Sequence, residues 1–188
     1  MTAGREALVL IDLQRDYFAD DELERCREDL VAACNDLVGA AHASGVPVIE
    51  VRTVHDPGGS TWTMSMREDG QGMALEGSTG AEPVEGLRTE GARLVSKTRD
   101  SAFFGTDLLD VLREESVGHV VLCGVSTESC VAATAIEAFA HDLAVTFVSD
   151  ATASVDRDLH DDTLAQLADR YRQEVRTAAE VEKRWANR

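Results

Sequence analysis

The sequence has few basic residues for its length and no long apolar run. Its 18 lysines and arginines face 35 aspartates and glutamates, for a formal net charge of -17. A surface this acidic repels phosphate backbones and anionic lipid head groups, so we expect neither nucleic acid nor a membrane as a partner. The apolar run at residues 7–11 is too short for a signal-peptide core or a membrane span, which favours a cytoplasmic protein acting on a small molecule.

Cysteine is scarce, and its spacing argues against structural roles. The four cysteines lack C-x-x-C spacing and have no histidine cluster beside them; they are Cys26, Cys34, Cys123 and Cys130. Neither a zinc site nor a disulfide framework is therefore indicated, and we expect free thiols. No G-x-G-x-x-G follows the first apolar run either, which disfavours a nucleotide- or flavin-binding module. We predict no cofactor.

The order of apolar and polar residues indicates an α/β fold. The 188 residues fit one domain spanning 1–188, with ordinary hydrophobic and charged contents of 44% and 28%. Short apolar runs alternate with segments of helical periodicity, which predicts a parallel sheet with helices on both faces, a three-layer α/β/α arrangement. The predicted strands lie at 8–11, 48–51, 94–95, 120–123, 145–148 and 174–176, and the main helices at 23–41, 106–112, 130–140 and 159–167.

One long segment interrupts this alternation. Residues 55–91 are rich in glycine and polar residues and show neither a strand nor a helix pattern. A loop of this length inside a compact domain is usually functional or mobile. We interpret it as an insert that covers the site.

Three polar residues follow predicted strands. Asp12 comes directly after the first strand, Lys97 after the third, and Cys130 a short turn after the fourth. The carboxyl ends of parallel strands meet at one edge of a sheet, where ligands bind in such folds. Taken singly, these residues also fit a buried core cysteine, a capping aspartate and a solvated lysine. Their joint placement favours a catalytic site.

The residue types suggest covalent catalysis. We predict that Cys130 begins a helix, where the positive end of the helix dipole favours the nucleophilic thiolate and backbone N–H groups can stabilise an oxyanion. Asp12 can take the thiol proton and return it to a leaving nitrogen. Lys97 is expected to hold both negative charges together and to lower the pKa of the carboxyl and of the thiol.

Three motifs together resemble the isochorismatase-like cysteine hydrolase family. They are IDLQRDYF at 11–18, KTRDSAFFGTDL at 97–108 and GVSTESCVAATA at 124–135. Three blocks in this order are more specific than any one of them, and the likeness extends over nearly the whole chain. The resemblance implies a six-stranded, mainly parallel sheet and a catalytic triad of Asp12, Lys97 and Cys130.

The resemblance also implies finer features of the site. It implies a cis peptide between Val125 and Ser126, which would set the N–H of Ser126 beside that of Cys130 as an oxyanion hole. Members are commonly dimers or larger assemblies, so we expect a homo-oligomer. Nicotinamidases of the family carry an Asp-x-His metal motif after the second strand. The corresponding stretch here runs from Arg52 to Pro57 and offers only His55 and Asp56, so we predict no metal.

The presence of Cys130 favours hydrolysis of a C–N bond in a small amide, carbamoyl or ureido compound through an acyl-enzyme. Phe18, His55, Trp62 and Phe104 are candidate substrate contacts, with core packing as the alternative for the aromatic residues.

Two other functions stay open. One is an isochorismatase-type vinyl ether hydrolase that needs no cysteine nucleophile, and the other is a binding module that has lost turnover.

Overall fold

The computed structural model describes residues 4–187 as six strands and six helices, with short 3-10 and π-helical turns between them. The strands are β1 (Arg5–Ile11), β2 (Val48–Thr53), β3 (Arg93–Lys97), β4 (Val117–Val125), β5 (Ala144–Ala153) and β6 (Glu174–Arg176). The helices are α1 (Asp21–Ala43), α2 (Met64–Asp69), α3 (Leu108–Glu114), α4 (Ala132–Ala140), α5 (Arg157–Tyr171) and α6 (Ala178–Ala186).

The strands form one sheet in the order β3-β2-β1-β4-β5-β6, and every neighbouring pair is parallel. Side chains of β1 show why helices must cover both faces, because they alternate between two buried apolar clusters. Ala7, Val9 and Ile11 pack with α3, α4 and α5, whereas Leu8 and Leu10 pack with α1 and α6. The predicted α/β/α architecture is thus confirmed.

Most predicted elements appear with longer bounds, but the insert at 55–91 is more ordered than expected. It contains α2 and a 3-10 helix at Thr79–Ala81. Thr63 caps α2 by accepting a hydrogen bond from the Met66 backbone N–H. His55 pairs with Leu75 and Gln14 with Pro83 as isolated β-bridges. A short helix without a full apolar periodicity does not stand out in sequence, which is why these two helical turns were not expected.

The backbones of the two central strands, β1 and β4, approach each other closely at Gly124, near the site. Gly124 in β4 has a φ of 120°, and a Cβ there would lie 1.9 Å from the carbonyl oxygen of Ile11 in β1. Only glycine fits such a backbone conformation and such an approach. Among residues 4–187, no helix combines the length and the apolarity that crossing a bilayer requires.

We expect Gly124→Ala to lower the free energy of unfolding by about 3 kcal/mol or more, because the added methyl group meets backbone atoms that cannot move aside. Gly39 in α1 is the matched control, since a Cβ there meets nothing within 4 Å. Gly39→Ala should raise the free energy of unfolding by up to about 1 kcal/mol. Urea unfolding followed by circular dichroism measures both, and equal stabilities for the two variants would contradict the close approach.

Candidate active site

The site lies where the strand order reverses. The chain runs outward from β1 to β2 and β3, and then returns to the other side of β1 as β4. Crevices at the carboxyl ends of strands on either side of such a reversal are the usual ligand sites of open parallel sheets. Asp12 follows β1 with a φ of 52°, a left-handed conformation that is uncommon outside glycine. This conformation orients the carboxylate at the reversal.

Asp12 and Lys97 form a fully buried ion pair. The Nζ atom of Lys97 lies 2.7 Å from Oδ2 of Asp12, and neither side chain reaches solvent. The Lys97 ammonium also donates to the Arg99 carbonyl oxygen at 3.0 Å and lies 3.4 Å from Sγ of Cys130. The structure therefore brings together the three residues that the sequence predicted to share one edge.

Thr53, at the end of β2, links the members of the ion pair. Its hydroxyl donates to Oδ1 of Asp12 at 2.9 Å and accepts from Lys97 Nζ at 2.8 Å, and its backbone N–H also donates to Asp12. Gln14 accepts from the same N–H at 2.8 Å and donates to the Thr53 carbonyl at 2.7 Å. Sequence reasoning missed both residues, although Gln14 lies inside the first motif and Thr53 ends a strand. Only these two positions, inside a motif and at a strand end, pointed to the two residues in the sequence.

Cys130 lies within a π-helical turn, Thr127–Val131, that precedes α4. α4 itself begins at Ala132, two residues after the predicted start at Cys130, because a wider turn inserts between β4 and α4. Thr134 anchors this turn by donating its hydroxyl to the Cys130 carbonyl at 2.7 Å and accepting from the Ala102 N–H at 3.0 Å. The peptide between Val125 and Ser126 is cis, as the resemblance implies.

The surroundings of the site shift the pKa of the Cys130 thiol and the pKa of the Lys97 ammonium. Burial raises the pKa of the Cys130 thiol far above its usual range, Asp12 raises it further, and Lys97 offsets this only in part. Burial is the largest single influence on the pKa of Lys97 and lowers it, but the contacts with Asp12 and Cys130 together outweigh burial, so the net pKa is raised. The resting site therefore holds a neutral thiol beside an ammonium. The expectation of a lowered thiol pKa was wrong because the dipole argument ignored desolvation.

A cavity of about 590 Å³ opens above the thiol. Cys130 and Lys97 form part of its lining, and Tyr17 and Met66 also contribute to it. Burial raises the pKa of the Tyr17 phenol, and the neighbouring Asp12 and Cys130 add to the effect, so the phenol stays neutral. Met66 belongs to α2, so the ordered insert supplies part of this lining.

The predicted substrate contacts divide into two groups. His55 and Phe104 line the cavity, with Phe104 63% exposed. Phe18 does not line it, because the 3-10 helix Arg15–Ala19 turns this ring into the apolar cluster beneath α1. Trp62 does not line it either, since its Nε1 donates to the Asp56 carbonyl at 3.0 Å and its ring packs within the insert. Both are corrections in favour of core and loop packing.

The residues after β2 do not fit a metal centre of the nicotinamidase kind. Among residues 4–187, no group of three or more His, Cys, Asp or Glu side chains is placed to hold a metal ion. The Nδ1 atom of His55 lies 3.1 Å from the Thr61 carbonyl oxygen. Burial lowers the pKa of His55, the Thr61 contact opposes this, and the Arg99 charge lowers it further, so the imidazole is neutral at pH 7.

Comparison with known proteins agrees with this geometry. A probable inactive nicotinamidase of Arabidopsis thaliana is 32% identical over 163 residues, which cover 82% of this chain and 83% of the relative. Ureidoacrylate amidohydrolase RutB of Pseudomonas syringae pv. syringae is 29% identical, over 81% of this chain and 72% of the relative. The crystal structure of a cysteine hydrolase from Pseudomonas syringae pv. phaseolicola superposes with a TM-score of 0.87 at 25% identity, covering 97% of this chain and 93% of that one. The isochorismatase domain model matches residues 6–180, and the chain therefore belongs to the isochorismatase family of hydrolases.

Proposed function

We propose that this hydrolase cleaves a C–N bond of a small amide, carbamoyl or ureido compound through an acyl-enzyme on Cys130. The observation that carries the proposal is the position of Lys97 Nζ, 2.7 Å from the Asp12 carboxylate and 3.4 Å from the Cys130 sulfur. A nucleophile, a proton acceptor and a fixed cation thus share one buried contact beside a cavity, which is the arrangement that acyl transfer needs.

The first half of the reaction forms a thioester. The Cys130 thiol gives its proton to the Asp12 carboxylate as the sulfur attacks the substrate carbonyl carbon, and an S–C bond forms. The carbonyl oxygen becomes an oxyanion, which the N–H groups of Ser126 and Cys130 would stabilise. Collapse of this intermediate breaks the C–N bond, and Asp12 returns its proton to the leaving nitrogen.

The second half releases the acid. Water gives a proton to Asp12 and attacks the thioester, and the departing Cys130 sulfur recovers that proton from Asp12. Lys97 stays an ammonium throughout, because its raised pKa keeps it charged. Its role is to stabilise the thiolate character that develops on sulfur during attack and departure. No step needs a metal or a cofactor.

One relative supports this substrate class, since it is by name a ureidoacrylate amidohydrolase. A cavity of about 590 Å³ suits a small molecule and lies within the ordinary size range of ligand pockets. The acidic surface does not hinder a neutral reacting group such as an amide or a urea.

The direct test is a panel of small amides and ureido compounds assayed for ammonia release, with intact-mass detection of an acyl adduct on Cys130. We expect turnover of at least one compound and loss of at least about 10³-fold in kcat for Cys130→Ala. Cys26→Ala is the matched control, because Cys26 lies half-buried on α1 away from the cavity, and it should keep full activity.

Other outcomes separate the alternatives. Full activity of Cys130→Ala on a vinyl ether substrate would favour the isochorismatase-type reaction. No turnover and no adduct across the panel would favour the binding module.

The Thr53 hydroxyl gives a second prediction. Thr53→Val removes the hydroxyl shared by Asp12 and Lys97 but keeps the shape of the side chain, so kcat should fall about 10- to 100-fold while KM changes little. Thr53→Ser keeps the hydroxyl and should keep most of kcat. Steady-state kinetics on the best substrate of the panel measures both, and a Thr53→Val enzyme with normal kcat would contradict the role of this bridge.

The charge of Asp12 gives a third prediction. Because Asp12 raises the pKa of the Cys130 thiol and Lys97 lowers it, Asp12→Asn should move the pH midpoint of Cys130 alkylation by iodoacetamide to lower pH while it abolishes hydrolysis. Cys26 in the same protein is the internal reference, and its midpoint should not move. Peptide mass spectrometry over a pH series reads both sites. A midpoint at Cys130 that stays fixed or rises would refute the assigned charges.

A further inference from the structure

Arg99 lines the cavity as a cation without an acidic partner. It lies two residues after Lys97, is partly buried, and contributes to the same cavity as Cys130. Within residues 4–187, no Asp or Glu carboxylate lies at ion-pair distance from its guanidinium, in contrast to arginines such as Arg52 and Arg184, which pair with Glu50 and Glu174. A guanidinium that lines a cavity without an acidic partner is suited to bind an anionic group of a ligand.

The guanidinium is fixed in place by one of its nitrogens. Nη1 donates to the Thr61 carbonyl at 2.8 Å and to the Thr98 carbonyl. The same Thr61 oxygen is contacted by Nδ1 of His55, so Arg99 and His55 are held side by side on one wall. In the part of the chain that the structure describes, Nη2 and Nε of Arg99 make no hydrogen bond. Two donor nitrogens, with three N–H groups between them, are therefore left for a ligand.

The other charged groups around the cavity do not neutralise Arg99. Lys97 is paired with Asp12. Glu137 accepts a hydrogen bond from the Ser101 hydroxyl on the α4 side of the cavity. Asp100 also lines the cavity and raises the pKa of Tyr17 and of Cys130, but its carboxylate is not within ion-pair distance of the Arg99 guanidinium. His55 is neutral. Arg99 is thus the charged group on the wall that it shares with His55, in a protein whose net charge is -17.

We propose that Arg99 binds a carboxylate of the substrate, so that the enzyme acts on a ureido acid or on the monoamide of a dicarboxylic acid. This inference rests on the proposed function. Arginine matches the two oxygens of a carboxylate with two parallel N–H donors, which fixes both distance and orientation. The Arg99 carbonyl also accepts from Lys97 Nζ at 3.0 Å, so the carboxylate subsite and the catalytic lysine lie on one loop. Anchoring the acid group there would set the scissile carbonyl over Cys130.

The first experiment compares a ureido acid with its methyl ester, which has the same scissile bond and no charge. The wild-type enzyme should prefer the acid in kcat/KM, and Arg99→Ala should lower kcat/KM for the acid about 10- to 100-fold while leaving the ester unchanged. Arg99→Lys should recover part of the preference, because it restores the charge without the paired donors.

Arg88→Ala removes an equal charge from an exposed position outside the cavity and should leave the preference intact. An equal fall for acid and ester in Arg99→Ala would overturn the proposal.

A second experiment needs no turnover. Cys130 is alkylated with a series of iodo acids of increasing chain length and with the matching neutral amides, and rates are read by peptide mass spectrometry. At least one acid should label wild-type Cys130 about 10-fold faster than it labels Arg99→Ala, whereas its amide labels both equally. Absence of this difference for every acid would overturn the carboxylate subsite. Selective labelling without hydrolysis of any ureido compound would support the subsite and reject the proposed hydrolysis.

Discussion

The site depends on one buried ion pair, between Lys97 and Asp12. A carboxylate and an ammonium that are both withdrawn from water are costly unless hydrogen bonds satisfy the charges they do not share. Thr53 supplies these bonds from the neighbouring strand, and its register opposite Lys97 in the sheet places its hydroxyl between the two charged groups. Removing one member of such a pair typically lowers the free energy of unfolding by about 3–5 kcal/mol. Contact between the two side chains and Thr53 also requires β1, β2 and β3 to end at the same edge of the sheet.

In the proposed mechanism, the ion pair also controls how the cysteine reacts. Cys130 is buried beside a carboxylate, and both features favour the neutral thiol. A permanent thiolate would place a second negative charge beside the Asp12 carboxylate, with only the Lys97 ammonium to balance the two. The thiol proton instead has an acceptor in contact with the same lysine, so charge needs to develop on sulfur only while a substrate is attacked. This arrangement limits unwanted reactions of the cysteine with other electrophiles.

The positions of Asp12, Lys97 and Cys130 were predictable because parallel strands bring their carboxyl ends together, whatever their separation in sequence. The contribution of Thr53 was not, because its hydroxyl matters only through the pairing register of β2 with β3. Phe18 was a candidate substrate contact because it ends the first motif, yet a single 3-10 turn directs it into the apolar cluster beneath α1. The thiol pKa was predicted in the wrong direction, since burial depends on the whole fold. Local sequence patterns thus predict where strands end better than they predict which side chains are in contact.

The most direct test of this account is the protonation state of Cys130 in the resting enzyme. Infrared difference spectroscopy of the wild-type protein against Cys130→Ser isolates the S–H stretching band of this one thiol. The account predicts that the band is present at neutral pH, with the thiol held neutral beside the Lys97–Asp12 pair. A spectrum without that band at neutral pH would show a resting thiolate and would contradict the account.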